Sequence, residues 1–235
     1  DQIALALERL RLTEDLAATQ LASETERLRT ALLNSVSHDL RTPLVTIIGA
    51  AGHLAESELQ PAARRDLAEN IREEGERLDR YVQNLLDMTR LGHGALKPRL
   101  APQDIAEIVG GARSRMKGVL RAHELSAELA PNLPLILADG VLLEQVLVNI
   151  LDNAAKYAPG GSRITVAAQL VGVRLELSVT DHGPGIPPAD QAHVFDMFYR
   201  VAGGDRQRAG TGLGLAICKG LVEAMGGTIR VETGW

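Results

Sequence analysis

Apolar residues in the first part of the chain follow a helical repeat that one copy cannot bury alone. From about Ala62 to Leu91 the repeat alternates spacings of four and three, through Leu67, Ile71, Glu74, Leu78, Tyr81, Leu85 and Met88. This spacing places the side chains on one stripe of an α-helix. Residues 56–61 are typical of a turn after an earlier long helix. Because such a hairpin leaves its stripe exposed, we predict pairing of two copies into a four-helix bundle.

The remaining boundaries follow from weaker signals. Residues 1–27 carry an imperfect coiled-coil repeat, which predicts a helix preceding the hairpin of residues 28–92. Glycines and prolines in residues 93–102 predict a linker, and residues 103–235 form a second domain. The chain begins at Asp1 without an initiator methionine. We therefore interpret it as a fragment of a longer protein, with a truncated carboxyl terminus.

The second domain mixes helices and strands. Apolar residues alternate with polar ones over 164–170 and 173–179, and Gly172 lies between them, which predicts a β-hairpin. We expect helices at about 103–122, 140–157 and 213–225. The combination predicts an α/β sandwich with helices on one face of a sheet.

Composition excludes several classes of protein. The net charge of −5 and the lack of a basic run argue against nucleic-acid binding. Cys218 is the single cysteine, so no internal disulfide forms, and we interpret it as a core residue in a reducing compartment. No apolar run reaches the ~18 residues of a membrane span, so we expect a soluble segment. The histidines lack ligand spacing, and we predict no zinc site.

The motif SVSHDLRTPL, residues 35–44, contains a candidate nucleophile. A neutral imidazole such as that of His38 is nucleophilic near pH 7. The neighbouring Asp39 could accept its second proton, and Thr42 lies one helical turn further on the same face. A solvated histidine on a coiled-coil surface is the plain alternative.

Polar residues form a stripe in LEQVLVNILDNAAKYAPGG, residues 143–161. On a helix this stripe contains Gln145, Asn149, Asn153 and Lys156. Amides beside a lysine suit Mg²⁺ and phosphate oxygens. A polar helix face in solvent would give the same pattern.

Two glycine-rich motifs complete the set. In DHGPGIP, residues 181–187, Asp181 could accept a hydrogen bond from an adenine amino group, while Gly183 and Gly185 permit close approach of the base. Further on, Gly210, Gly212 and Gly214 open a helix whose amides can bind phosphate. Phe195 and Phe198 are expected to hold one end of a flexible loop, residues 201–210.

These motifs resemble, in order, the phosphoacceptor, asparagine, glycine and phenylalanine boxes of sensor histidine kinases. The family usually has Glu after the histidine, and Asp39 resembles the variant of the KdpD family of potassium sensors. The resemblance covers residues 1 to 227. It implies a dimeric helical hairpin followed by an ATP-binding α/β sandwich of the Bergerat (GHKL) type.

The resemblance also implies roles for individual residues. His38 accepts the phosphoryl group, Asp39 takes its proton, and Thr42 helps to dephosphorylate the partner. Asn153 holds Mg²⁺. The other implied ATP contacts are Asn149, Lys156, Tyr157, Asp181, Gly183, Gly185, Arg200, Gly210, Thr211, Gly212, Leu213 and Gly214.

The implied function is ATP-dependent autophosphorylation of His38 and transfer to an aspartate of a KdpE-like response regulator. The implied parent protein is a homodimer in the bacterial inner membrane, with this core in the cytoplasm. One alternative is a GHKL ATPase, in which a glutamate occupies the position of Asn149 and activates water; an amide is a poor base. The other is a non-catalytic scaffold, which would lack the histidine or the glycine boxes.

Overall fold

The computed structural model describes residues 40–55, 59–92, 96–201 and 212–234. Helix α1 covers 40–55, and α2 runs from Pro61–Gly92, which confirms the helix expected at about 62–91. His38, Asp39, Gly210 and Thr211 lie outside the described residues, as do residues 1–27, predicted as a coiled coil, and nearly all of the loop predicted at residues 201–210.

The second domain begins with strand β1, Ala101–Gln103, and helix α3, Ile105–Arg115. Asp104 caps α3 by accepting a hydrogen bond from the Ala106 amide at 2.8 Å. The helix expected at 103–122 is therefore wrong in extent, because Gln103 pairs in a strand and α3 ends before Gly118. A separate 3-10 turn, Val119–Ala122, follows it.

The elements that follow agree closely with the expectations. They are β2 (Glu124–Leu129), β3 (Ile136–Ala138), α4 (Gly140–Tyr157), β4 (Arg163–Val171), β5 (Arg174–Thr180), α5 (Pro188–Gln191) and α6 (Gly214–Ala224). The helices expected at 140–157 and 213–225 are confirmed as α4 and α6. The predicted hairpin is confirmed as antiparallel β4 and β5, with Gly172 at φ 63 in the turn.

The sheets position the helices. Strand β4 is central, parallel to β2 and antiparallel to β5, while β1 and β3 form a separate antiparallel pair. The main core joins α3 and α4 to β4, where Ile164, Val166 and Ala168 are at most 1% exposed. Every second residue of β4 is thus buried and packs against the apolar faces of α3 and α4, as an α/β sandwich requires.

A second core lies between α4 and α6. Its buried members are Val146, Leu213, Ile217, Cys218 and Leu221. The interpretation of Cys218 as a core residue is confirmed by its full burial. Met88 and Leu91 of α2 also pack on this cluster. The end of the predicted hairpin stripe therefore contacts the second domain.

None of the described helices contains an apolar stretch long enough to cross a bilayer.

Candidate functional site

The end of α4 and the loop after β5 meet at one edge of the second domain. Asp181 follows β5 directly, and its Oδ1 accepts a hydrogen bond from the Gly183 amide at 2.7 Å. A Cβ on Gly183 would lie 3.2 Å from the Tyr157 carbonyl oxygen and 2.7 Å from Asp181 Oδ1. The structure thus brings Asp181, Gly183 and Tyr157 together, and glycine permits this close approach.

Asn153, one turn before the end of α4, faces the start of α6. A Cβ on Gly214 would have Asn153 Nδ2 as its nearest neighbour, at 3.9 Å. Helix α6 begins after Leu213, an apolar N-cap in place of the usual Ser, Thr, Asp or Asn. Lys156 Nζ lies 5.7 Å from the centre of the Tyr157 ring. An oxygen-rich anion would therefore meet an amide, an ammonium group and a helix N-terminus in this region.

The described residues on either side of the loop predicted at residues 201–210 contact each other at its base. Phe198 donates a backbone hydrogen bond to the Gly212 carbonyl at 3.0 Å, and its ring packs on the α4–α6 core. Both residues have positive φ, 66 for Phe198 and 68 for Gly212. A Cβ on Gly212 would lie 2.8 Å from the Phe198 carbonyl carbon. Phe198 therefore fixes the loop base to the core, as the sequence predicts.

The residues beside that base differ in exposure and in their contacts. Arg200 is exposed. Tyr199 donates a hydrogen bond to Asp190, and this bond raises the pKa of the Tyr199 phenol. Phe195 is half-buried, and Gly185 is exposed.

Asn149 lies against helix α2. It exchanges hydrogen bonds with Asn84 at N–O distances of 3.3 and 3.4 Å, and only 7% of it is exposed. Sequence reasoning placed Asn149 near the phosphates and did not anticipate this contact. In the described arrangement, its amide is already paired.

The Asn84–Asn149 pair is the centre of a polar seam between α2 and α4. On one side, Gln145 Nε2 donates to the buried carboxylate of Asp87 at 2.5 Å. On the other, Arg80 and Asp152 form an ion pair at 3.8 Å. Positions 80, 84 and 87 of α2, and positions 145, 149 and 152 of α4, each recur at spacings of three or four, which places each polar set on one face of its helix. On α2 this polar face was the available signal for the seam, and sequence reasoning missed it.

Thr42, the third candidate of the first motif, lies in α1. Its carbonyl accepts a hydrogen bond from the Thr46 hydroxyl at 3.2 Å. His182 is exposed, with Nδ1 at 3.0 Å from the Arg163 carbonyl, which fits a loop residue. Among the described residues, no group of three or more His, Cys, Asp or Glu side chains could hold a metal.

Two families match the chain. The His Kinase A (phospho-acceptor) domain matches residues 28–94, and the histidine kinase-, DNA gyrase B-, and HSP90-like ATPase family matches residues 138–235. A phosphoacceptor hairpin followed by this ATPase-type fold defines the catalytic core of a histidine kinase. The chain belongs to the sensor histidine kinases.

Individual relatives agree. The sensor protein KdpD of Escherichia coli (strain K12) is 42% identical over 97% of this chain and 25% of its own length. The chain thus spans about a quarter of the length of the KdpD sensor proteins of Escherichia coli and Clostridium acetobutylicum.

Solved structures give the same family. The mycobacterial sensor histidine kinase MprB is 34% identical, with a TM-score of 0.50 over 57% of this chain and 85% of that chain. Full-length ShkA, solved with AMPPNP, is 31% identical, with a TM-score of 0.60 over 86% of this chain and 42% of that chain.

Proposed function

We propose that this chain binds Mg-ATP and transfers the γ-phosphoryl group to its own His38. The observation that carries the proposal is the arrangement around α4. Asp181 and Gly183 meet Tyr157 at its carboxyl end, while Asn153 faces the start of α6 one turn earlier. A purine base beside Asp181 and a phosphate chain beside Asn153 would each meet polar groups that can bind them.

The first position fits adenine. The Asp181–Gly183 hydrogen bond orients the carboxylate and uses one of its oxygens, so the other suits a purine 6-amino group. Gly183 lets the loop pack directly on the Tyr157 carbonyl, since any Cβ there would clash, and this contact holds Asp181 at the end of α4. The AMPPNP in the ShkA structure supports the choice of an adenine nucleotide.

The second position fits phosphates and Mg²⁺. The Asn153 amide oxygen is a ligand of the type that Mg²⁺ accepts, and Lys156 and the α6 amides supply positive charge. We assign the metal to Asn153, and the phosphates to Lys156 and to Gly210, Thr211, Gly212, Leu213 and Gly214, with Arg200 toward the γ-phosphate. Bound Mg²⁺ would neutralise charge that develops on the phosphate oxygens.

In the transfer step, an unprotonated imidazole nitrogen of His38 forms a bond to the γ-phosphorus. The bond from that phosphorus to the bridging oxygen breaks, and ADP leaves. The other ring nitrogen passes its proton to Asp39. Positioning and charge neutralisation supply most of the acceleration in such transfers.

The transfer requires the two domains to separate at the polar seam. While Asn149 is buried against α2 beside Asn84, its amide is not accessible to a phosphate. We propose domains at 28–92 and 103–235, a signalling helix at 1–27, and a linker at 93–102 that permits this motion. Ala101 and Pro102, at the end of the linker range, pair with β3.

The hairpin supports a homodimer. Leu44, Val45 and Ile48 of α1 are 47%, 61% and 62% exposed, and Val82 and Leu86 of α2 are similarly open. Apolar side chains at these helical spacings are buried when two hairpins form a four-helix bundle.

The wider function follows from the relatives. We propose that phosphorylated His38 passes its phosphoryl group to an aspartate of a KdpE-like regulator, and that Thr42 takes part in removing it. We also propose a bacterial inner-membrane location for the whole protein, with this core on the cytoplasmic side.

Incubation with γ-labelled ATP tests the proposal against its alternatives. A histidine kinase labels the protein, a GHKL ATPase releases labelled phosphate, and a scaffold does neither. The label on protein should be lost in acid and kept in alkali, as for a phosphoramidate. An acid-stable label, or full labelling of His38→Gln, would show that another residue accepts the phosphate.

A further inference from the structure

We infer that Thr233, near the end of the chain, is a positioning residue that sets the adenine-reading loop of residues 181–187. Through this loop it determines how strongly the site selects a 6-aminopurine nucleotide. The inference rests on the proposed role of Asp181.

The Thr233 hydroxyl joins two elements that are distant in sequence. It accepts hydrogen bonds from the Ile186 amide and from Gln191 Nε2, both at 3.3 Å, and donates to the Ile186 carbonyl at 3.2 Å. A hydroxyl has one donor and two acceptor positions, so these contacts use its full capacity. Gln191 Nε2 also donates to the Ile186 carbonyl at 3.1 Å, so Thr233, Ile186 and Gln191 all contact one another.

The Thr233 methyl group contacts the same loop. Gly185 has φ 71, and a Cβ on it would lie 2.8 Å from Thr233 Cγ2. The loop backbone is therefore packed directly on the threonine side chain. The hydroxyl and the methyl group of Thr233 therefore both contact the loop.

The segment that carries Thr233 is itself anchored. Arg230 forms ion pairs with Glu176 of β5 and with Glu232, and Ile229 packs on the α4–α6 core. Because its own segment is anchored, Thr233 holds Ile186 in a fixed position. The other end of the loop is fixed where Thr180 pairs with Thr165 in the sheet.

Between these two anchors lie Asp181 and Gly183. If the Thr233 hydroxyl is removed, Ile186 loses two of its hydrogen bonds and keeps one from Gln191. The loop then samples positions in which the Asp181 carboxylate is misaligned with the base. Hydrogen bonds weaken steeply with poor alignment, so the 6-amino group loses its selective contact.

The experiment compares ATP with purine riboside triphosphate, which lacks the 6-amino group. Dissociation constants are measured for both nucleotides with the wild type, Thr233→Val and Thr233→Ser. Valine keeps the shape and removes the hydroxyl, while serine keeps the hydroxyl. Circular dichroism and thermal melting identify any variant that fails to fold.

We expect the wild type to prefer ATP by about tenfold or more, the value of a hydrogen bond to a charged group. Thr233→Val should reduce that preference to about threefold or less, and Thr233→Ser should retain most of it. In Asp181→Asn, adding Thr233→Val should change the preference no further. Equal weakening of both nucleotides in Thr233→Val, or an unchanged preference, would overturn the inference.

The design separates this inference from the proposed function. A wild type without preference would refute the Asp181 contact and the inference with it, while acid-labile labelling of His38 would still support the kinase. Loss of labelling with an intact ATP preference in the wild type would refute the kinase proposal alone.

Discussion

Asn84 and Asn149 pair their side-chain amides across two helices, 65 residues apart in the chain. Each amide donates one of its two N–H groups to the oxygen of the other. The same Asn149 amide is the proposed phosphate ligand. Docking of the hairpin and the proposed phosphate contact would therefore compete for one side chain.

Replacing Asn84 with alanine should release Asn149. We expect Asn84→Ala to bind ATP about threefold to tenfold more tightly, because a hydrogen-bonded pair contributes about 0.5–1.5 kcal/mol. Isothermal titration with ATP and Mg²⁺ measures the change. Asn70→Ala is the matched control, since Asn70 is an exposed asparagine on the same helix. Identical affinities in the two variants would exclude competition at this pair.

Replacing Gly212 with alanine should damage the loop base. Positive φ costs a residue with a Cβ about 1–2 kcal/mol, and here the Cβ also meets the Phe198 backbone. Gly226→Ala is the control, because Gly226 has φ 79 but no atom within 4 Å of its Cβ. We expect the larger loss of unfolding free energy, and the loss of ATP affinity, in Gly212→Ala. Equal urea midpoints would contradict the steric argument.

Thr42 and Asp39 should separate the two activities of the hairpin. Thr42→Ala should leave labelling of His38 largely intact and slow the loss of phosphate from the regulator several-fold. Asp39→Asn should slow labelling, because the imidazole proton loses its acceptor. Thr46→Ala is the control for Thr42, since its hydroxyl bonds to the Thr42 carbonyl in the same helix. Parallel losses of both activities in Thr42→Ala would indicate a folding defect.

Cys218 should be chemically inert in the folded protein. Burial raises the pKa of its thiol from 9.0 to about 12, so almost no thiolate forms at pH 8. We expect iodoacetamide to label the protein at this pH only in denaturant, as measured by mass spectrometry. Because Cys218 is the single cysteine, the labelling reports on one site.

The same pKa shift predicts a dependence of stability on pH. A thiol that is harder to ionise in the folded state stabilises the protein fully below pH 9, and this contribution is lost between pH 9 and about 12. Cys218→Ala should remove that part of the decline in unfolding free energy. Identical pH profiles of variant and wild type would show that the folded thiol ionises normally.

Local patterns predicted the elements of this fold but not their long-range partners. The stripe on α4 and the alternation on β4 and β5 could be predicted because each is read within one element. The pairing of Asn149 could not, because it depends on how α2 docks. Thr233 was missed for the same reason, since its partner Ile186 lies 47 residues away. Gly212 was predicted only as one of the glycines that open a phosphate-binding helix, whereas its contact with Phe198 makes glycine a steric requirement.

Helix α6 is eleven residues long, about 16 Å at 1.5 Å per residue. Its first residue, Gly214, faces Asn153, and Gly220, about 9 Å further along, has Leu91 of the hairpin where a Cβ would point. A helix this short moves as a rigid body, so a tilt imposed at one end also displaces the other end. A larger side chain at Gly220, remote from the proposed nucleotide site, would therefore alter phosphate binding by changing the orientation of the whole helix.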